Sequence, residues 1–436
     1  MGSENNSLVF VPLGIDTQQE HFVFVRANSP IVVSEGFEIL TRIRVVKGER
    51  SIIASLSTID SEVLKEGQVS LSKSACQHLQ AQPGDGLQLF HLPPLNSLGL
   101  VRSKLHGNRL SQSEFSQIVR DIEQEKYSNI HIAAFISACY GENLSLDEVT
   151  FLTKSMTESG SVLRWDQDRI FDKHCIGGLP GNRTTPIVVA LVAAAGLTIP
   201  KTSSRAITSP AGTADTMSAI TCVELSLDRI REVIRKENGC VAWGSAAGLS
   251  PVDDRIIKVE RALNIDSEGQ MIASILSKKA AVGSTHIVID IPVGPTAKVR
   301  SEKDALRLEY MLTVIGQALG LHIKVLITDG SRPVGRGIGP ALEATDVLAV
   351  LQNEPGAPND LRQKSLQIAG TIFEMAEVCP VAQGMKMADK ILSQGVAFEK
   401  FSAICQAQGG MKEVPTAPYQ HQILAHKSGK ITSVDN

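Results

Sequence analysis

Chemistry is concentrated in two short segments near the middle of the chain. The first, His174-Cys175-Ile176-Gly177-Gly178-Leu179-Pro180-Gly181-Asn182, lies between a strand-like run, Arg169 to Asp172, and a helix that begins near Thr184-Thr185-Pro186. A glycine-rich turn opening into a helix gathers unpaired amides and the positive end of the helix dipole, which suits a phosphate. Lys173 and His174 flank this loop, a cation and a group able to exchange protons near neutral pH. The second segment, Ser203 to Thr213, holds five hydroxyls and Arg205 just ahead of a helical run from Ala214. Such donors suit a phosphate or a sugar. Each feature also has a plainer use: glycines make tight turns, Ser and Thr cap loops, and a lone histidine is commonly structural. Two phosphate-friendly loops in one stretch strengthen the chemical reading of both. The first loop lacks the Gly-Lys-Ser/Thr ending of a P-loop and is not the GxGxxG dinucleotide fingerprint.

Strands must end where these loops begin. From about Arg169 strand-like and helical runs alternate: His286 to Ile291, Ser301 to Leu319, Lys324 to Thr328, Ala341 to Leu351 after the Gly335 to Gly339 loop, and a long helix from Asn359 to Glu377. That alternation predicts a parallel sheet with right-handed crossovers, whose ligands bind at the carboxyl ends of the strands. Earlier, β-like runs at Leu8 to Val11, His21 to Val25, Ile39 to Val46, Ile52 to Leu56 and Gly84 to Leu89 predict a small β-rich module closed by Pro93-Pro94. Ser111-x-x-Glu114 and Ser145-x-x-Glu148 have capping-box spacing, and Ile130 to Tyr140 reads as a buried helix. The expected organisation is an α/β multidomain protein. A β-rich N-terminal module spans 1–95 and a helical subdomain spans 96–166, recruiting a further mid-chain segment. An α/β domain with a mainly parallel central sheet spans 167–430, and residues 431–436 begin a C-terminal domain that the chain leaves unfinished, with 428–436 as its first strand.

Composition narrows the function classes. At roughly 100–200 residues per domain, 436 residues support several domains. A formal charge of −3, no Lys/Arg-rich run and 4% aromatics provide neither the charge nor the stacking surface of a nucleic-acid binder. Seven dispersed cysteines without a CxxC pair predict reduced thiols rather than a disulfide framework or a Cys-rich zinc site. The longest apolar run, Ile187 to Leu197, has 11 residues, short of the ~20 that span a bilayer, and the N-terminus lacks signal-peptide features. These readings predict a cytoplasmic protein without a membrane or nucleic-acid partner.

Three segments together carry a family resemblance: Lys173 to Gly178 with Asn182-Arg183-Thr184-Thr185, then Ser203 to Thr213, then Ser274-Ile275-Leu276-Ser277-Lys278-Lys279. They resemble the signatures of the thymidine and pyrimidine-nucleoside phosphorylases, over about residues 97 to 430. Ile176 to Asn182, Ser204 to Thr213 and Asp329-Gly330-Ser331 look nearer to the AMP phosphorylase branch, as does the β-rich N-terminal module. That branch is shared by archaeal nucleoside-monophosphate phosphorylases and bacterial chains labelled type 2 thymidine phosphorylases. The resemblance implies phosphorolysis, in which inorganic phosphate attacks C1′ of a nucleoside or nucleotide to give free base and a pentose 1-phosphate. It implies that Lys173, Gly178, Thr185, Ser203 and Thr213 hold phosphate, with Ser204, Arg205, Ala206, Ile207, Thr208 and Ser209 beside the substrate. Asp266 matches the proton donor of the AMP branch, a role needing a raised pKa at neutral pH, and His174 joins it in the catalytic set. Ser274 and Lys278 match pyrimidine contacts, and Ser274 with Lys298 match substrate positions of the AMP branch. On spacing alone Asp266 also reads as a turn or cap residue, and Lys278-Lys279 as a solvated face. The resemblance implies no metal or organic cofactor, inorganic phosphate being a co-substrate. It also implies a homodimer through the helical domain, and an active cleft between helical and α/β parts.

Two departures bear on specificity. Cys175 stands where the thymidine enzymes have Ser, replacing a hydroxyl by a weaker thiol donor. Val259 falls where those enzymes have an Arg that grips the pyrimidine carbonyl, with Arg261 the candidate substitute. Two other readings stay open on sequence. One is a phosphoribosyltransferase related to the anthranilate enzyme, which would use a pyrophosphorylated ribose and Mg²⁺; the other is a catalytically silent nucleotide-binding protein.

Overall fold

Alternating apolar residues curl the N-terminal strands into a closed barrel. The computed structural model describes residues 7–17, 20–30, 33, 41–177, 179–206, 211–265 and 267–435. By contact the chain falls into two compact units, residues 1–110, 117–138 and 259–263 in one, and 111–116, 139–258 and 264–436 in the other. In the first, strands β1 (Ser7–Phe10), β2 (Phe22–Arg26), β3 (Arg42–Lys47), β4 (Arg50–Ile59), β5 (Gln68–Leu71) and β6 (Gly86–His91) close in the order β1-β5-β2-β4-β3-β6. Period-two alternation sends Leu8 and Phe10, Ile43 and Val45, and Leu87 and Leu89 into one buried cluster. Between β5 and β6 lies helix α1 (Lys73–Leu79), capped by Ser72, whose Oγ accepts from the Ala75 amide at 3.4 Å. Neither β5 nor α1 was expected: β5 is a short run whose partners β1 and β2 lie far upstream, and Ser72 lacks the acidic partner that flags a capping box.

Helices follow: α2 (Asn96–Leu105), α3 (Gln112–Glu123), α4 (Asn129–Ala138) and α5 (Leu146–Glu158). The expected capping box at Ser145 is complete, the Glu148 amide donating to Ser145 Oγ at 3.3 Å and the Ser145 amide to Glu148 Oε2 at 3.0 Å. The one at Ser111 is half formed. There the Ser111 amide donates to Glu114 Oε2 at 2.7 Å, but Ser111 Oγ donates to the same carboxylate, at 2.7 Å, so the hydroxyl proton turns toward the charge. α4 is shorter than the apolar run that announced it. Ile132, Phe135, Ile136 and Ala138 are buried, whereas Ile130 and Tyr140 are exposed.

Beyond these helices the chain alternates as expected: β7 (Phe171–Cys175), α6 (Thr184–Ala194), β8 (Ile199–Ser203), α7 (Thr213–Ser218), α8 (Leu227–Glu237) and β9 (Gly239–Trp243), then α9 (Pro251–Leu263), α10 (Glu268–Ala281), β10 (His286–Val293), α11 (Glu302–Ala318) and β11 (His322–Asp329). Four helices complete it, α12 (Pro340–Leu351), α13 (Asn359–Met375), α14 (Gly384–Ser393) and α15 (Val396–Gln408). Strands β11-β10-β7 form one sheet and β8-β9 another, every pairing in both being parallel. The sheets lie side by side, the Phe171 amide donating to the Thr198 carbonyl at 2.8 Å. α6 is apolar on all sides because it is enclosed on all sides: Ile187 to Ala193 are buried in the cluster that also holds Leu366, Phe373 and Phe401. The architecture is thus the expected multidomain α/β one, with a β-rich N-terminal module, helices and a parallel sheet. One expectation fails. Residues 411–435 form no helix or strand, so the strand expected over 428–436 is absent among the described residues; without a ladder partner an extended segment is not a strand. Among the described residues no helix is long and apolar enough to cross a membrane.

Candidate active site

Successive side chains of a strand point to opposite faces, so β7 divides its polar residues into two groups. On one face stand Lys173 and Cys175. Asp290, register partner of Cys175 on β10, accepts from Thr328 Oγ1 at 2.6 Å and lies 3.0 Å from Lys364 Nζ of α13. Burial pulls the Lys173 ammonium below the ordinary lysine range against the opposing influence of Cys175 and Asp290, and Lys364 and Arg183 lower it further. Burial, with Asp290 adding to it, pushes the Cys175 thiol up to about 12, so it stays protonated; Asn182 Nδ2 donates to its sulfur at 3.1 Å.

The other face carries Asp172 and His174. Asp172 is wholly buried, 2.7 Å from Lys279 Nζ and 3.4 Å from Lys201 Nζ. Lys201 also donates to the Lys173 carbonyl at 2.6 Å, fixing β8 against β7. Burial, followed by Lys279, Lys201, Lys278 and Lys173, holds the pKa of His174 well below its ordinary value. Its expected proton exchange near neutrality therefore gives way to a neutral imidazole that can donate or accept a hydrogen bond.

β7 and β8 run together, so the loops leaving them rise at one end, the carboxyl end of the sheet. Gly181, at φ +71°, leads the first loop past Val334; a Cβ there would lie 2.1 Å from the Val334 carbonyl oxygen. At this positive φ and this close approach only glycine fits. Thr185 is buried in the first turn of α6, beside Thr184, whose Oγ1 is buried with no hydrogen-bond partner among the described residues, as is Asn182 Oδ1. Ser203 ends β8 and Thr213 begins α7. Between them the loop is pinched shut: the amides of Ala206 and Gly212 both donate to Asp215 Oδ2, at 2.7 and 2.9 Å. Arg205 is 3.0 Å from Asp215 and 3.1 Å from Glu224, and it stacks 4.7 Å over the Trp243 ring. Ser204 is exposed at the loop's start. Arg183 joins the two loops, donating to the carbonyl of Ala211 and to Glu343. Gly178, Ile207, Thr208, Ser209 and Asp266 lie outside the described residues.

Ser274 and Lys278 sit one turn apart on α10, with Lys278 Nζ 2.9 Å from Ser274 Oγ and 2.6 Å from Asp253 Oδ2. Lys279 points instead into the protein and is 2% exposed, so Lys278-Lys279 is no solvated face. Lys298 is exposed on the loop after β10, again at the carboxyl end of the sheet. Val259 is buried in α9 and Arg261 exposed in its last turn; both belong to the first compact unit, while Ser274 and Lys278 belong to the second. Sequence reasoning missed Asp172, Lys201, Asp290, Lys364 and Glu343. Apart from Asp172, which abuts Lys173, they stand alone in the sequence, and no short-range spacing marks them.

Two family models match the chain, "Glycosyl transferase family, helical bundle domain" over residues 99–160 and "Glycosyl transferase family, a/b domain" over residues 167–398. The chain belongs to this glycosyl transferase family. This family member is 50% identical over 433 residues to "Putative thymidine phosphorylase 1" of Cupriavidus necator, across 99% of the chain and 83% of the relative. It is 51% identical over 424 residues to "Putative thymidine phosphorylase" of Legionella pneumophila, across 97% of the chain and 82% of the relative. Its fold is similar to that of anthranilate phosphoribosyltransferase from Thermus thermophilus, with a TM-score of 0.58 at 19% identity, covering 71% of the chain and 98% of that structure. For a glycosyl transferase, β7 and the loops at the carboxyl end of the sheet offer a buried cation, a neutral imidazole, a threonine hydroxyl without a partner among the described residues and two hydroxyl-bearing loops. Those groups are suited to an anionic reactant beside a sugar.

Proposed function

We propose that the chain is a phosphorolytic pentosyltransferase, which transfers the pentose of a nucleoside or nucleoside 5′-monophosphate to inorganic phosphate. The observation that carries this reading is the buried Lys173 in β7, ahead of the turn that leads to Thr184, whose hydroxyl has no partner among the described residues. A buried ammonium is costly, its anionic neighbour Asp290 is shared with Lys364, and a phosphate dianion would supply further counter-charge. Family membership and the names of the relatives support the same reaction class.

In this reading Lys173, Gly178, Thr185, Ser203 and Thr213 hold phosphate with one oxygen toward C1′. Ser204 to Ser209, Ser274, Lys278 and Lys298 bind the glycoside. The C1′–N bond breaks as the C1′–O bond forms, and the base departs with the bonding pair and takes a proton from Asp266. Neutral His174 supplies a hydrogen bond, not a charge, to the reacting groups. Phosphate is the second substrate and the reaction calls for no organic cofactor or metal. The active species is proposed to be a homodimer, for which light scattering would report twice the chain mass.

The test is base release from AMP, CMP, UMP, thymidine and uridine, each with and without phosphate. Phosphate-dependent release is expected, and a preference for monophosphates would assign the chain to the AMP phosphorylase branch, consistent with Val259 in place of a thymine-gripping Arg. Tight nucleotide binding without release would overturn the reading in favour of a silent binding protein. Activity only with a pyrophosphorylated ribose and Mg²⁺ would overturn it in favour of phosphoribosyl transfer.

A further inference from the structure

Arg183 occupies a position where a cation is electrostatically unwelcome. It immediately precedes α6, at the positive end of that helix dipole, and it depresses the pKa of the nearby Lys173 ammonium. It is nonetheless buried, as is its partner Glu343. Its Nε donates to Glu343 Oε2, one terminal nitrogen donates to the carbonyl of Ala211, and the other donates to the carbonyl of Asn182 at 3.3 Å. Glu343 is held in turn, accepting from Thr216 Oγ1 at 2.9 Å and from the Gly339 amide at 3.3 Å. One guanidinium thus ties together the loop after β7, the loop after β8 and the turn that enters α12. A buried ion pair contributes little net stability, because desolvation offsets most of the Coulombic attraction. A rigid planar fork does, however, fix distances between the groups it bridges.

We propose that Arg183 is a positioning residue whose guanidinium, neutralised by Glu343, sets the separation of the Asn182–Thr185 turn from the Ala211–Thr213 turn, and with it the span of the phosphate site. This inference rests on the phosphorolytic reading. Charge and position make opposite predictions here. Were Arg183 a source of attraction for phosphate, Glu343→Gln would uncover its charge and tighten phosphate binding. As a strut, it loses its anchor in Glu343→Gln, and phosphate binding weakens.

Calorimetric titration of the full chain with inorganic phosphate reads the strut directly, and the base-release assay run in parallel reads the phosphorolytic reading. A wild type that binds phosphate but releases no base sinks that reading while leaving the strut measurable. Arg183→Ala is expected to weaken phosphate binding ~10- to 100-fold and to leave the nucleoside KM within about twofold, with added guanidinium ion recovering at least ~10-fold. Arg183→Lys keeps the charge without the fork and is expected to lose phosphate affinity as well; it serves if the alanine variant does not fold. Unchanged phosphate affinity in either folded variant would overturn the proposal, and so would tighter binding in Glu343→Gln. Parallel losses for phosphate and nucleoside, unrelieved by guanidinium, would reduce Arg183 to a general structural role and overturn it too. A wild type that binds no phosphate would overturn both readings.

Discussion

An ammonium enclosed in protein gives up its proton more readily than one in water, and Lys173 is enclosed, at 1% exposure. Its pKa lies below the ordinary 10.5, so with rising pH its charge is lost before that of an exposed lysine. Phosphate remains a dianion over the same range, so its attraction to the site declines as Lys173 deprotonates. The phosphate KM is therefore expected to climb on the alkaline side, starting below pH 10.5, while the nucleoside KM stays flat. Lys173→Gln is expected to remove that limb and to raise the phosphate KM ~100-fold at neutral pH, in line with loss of a charge-assisted contact. A pH profile of kcat/KM for phosphate checks both, and an alkaline limb that persists in Lys173→Gln would assign it to another group. Lys173 was legible in the sequence because it abuts the glycine loop. Its electrostatic surroundings were not: Asp290 and Lys364 reach it from two other elements, and only the folded sheet brings them into one cluster. The reading of Cys175 as a weak donor gains physical content from the same burial, which keeps the thiol protonated.

At the scale of elements, the loop from Ser204 to Gly212 is held by its ends. Asp215 accepts from the amides of both Ala206 and Gly212, and Ser204 accepts from the Ala214 amide at 3.4 Å. Gly212 has no room for a side chain: an added Cβ would lie 2.6 Å from the Arg205 carbonyl carbon, 2.7 Å from the Ala206 nitrogen and 2.7 Å from the Ser204 oxygen. All three are backbone atoms, so relief requires the loop to open. Gly212→Ala is expected to lower kcat/KM ~100-fold with little change in helix content, because misplacement of about an ångström carries that cost. Steady-state kinetics with circular dichroism checks it, and near wild-type turnover would show that the pinch has no bearing on the reaction. The hydroxyl richness of this loop and the capping box at Ser145 were legible because they are local patterns of four to a dozen residues. The Arg183–Glu343 pair was not, as its members are 160 residues apart and nothing beside Arg183 points to Glu343. β5 escaped for another reason: its burial depends on partners, β1 and β2, that lie far upstream in the chain.

At the scale of the molecule, the apolar residues are partitioned. One buried cluster draws only on residues 8–89, among them Phe10, Val25, Leu56 and Leu89. A second draws on residues 171–405 and centres on α6. A closed barrel leaves no open sheet edge in want of a partner, and its core is completed by its six strands together with Ala75 and Leu79 of α1. Cores that share no residues need not melt together, and multidomain chains commonly depart from a single two-state transition. Scanning calorimetry is accordingly expected to resolve at least two transitions. Leu56 is fully buried in the barrel, and Leu56→Ala removes apolar contact worth ~2–5 kcal/mol together with the cavity left behind. That substitution should lower the melting temperature of one transition and leave the other, and the phosphate KM, where they were. The second transition should instead rise on adding phosphate, since a ligand stabilises the unit that binds it. A single transition moved by both Leu56→Ala and phosphate would mean that the barrel and the α/β core unfold as one cooperative body, and that the barrel sequence is constrained by the stability of the catalytic part as well as by its own packing.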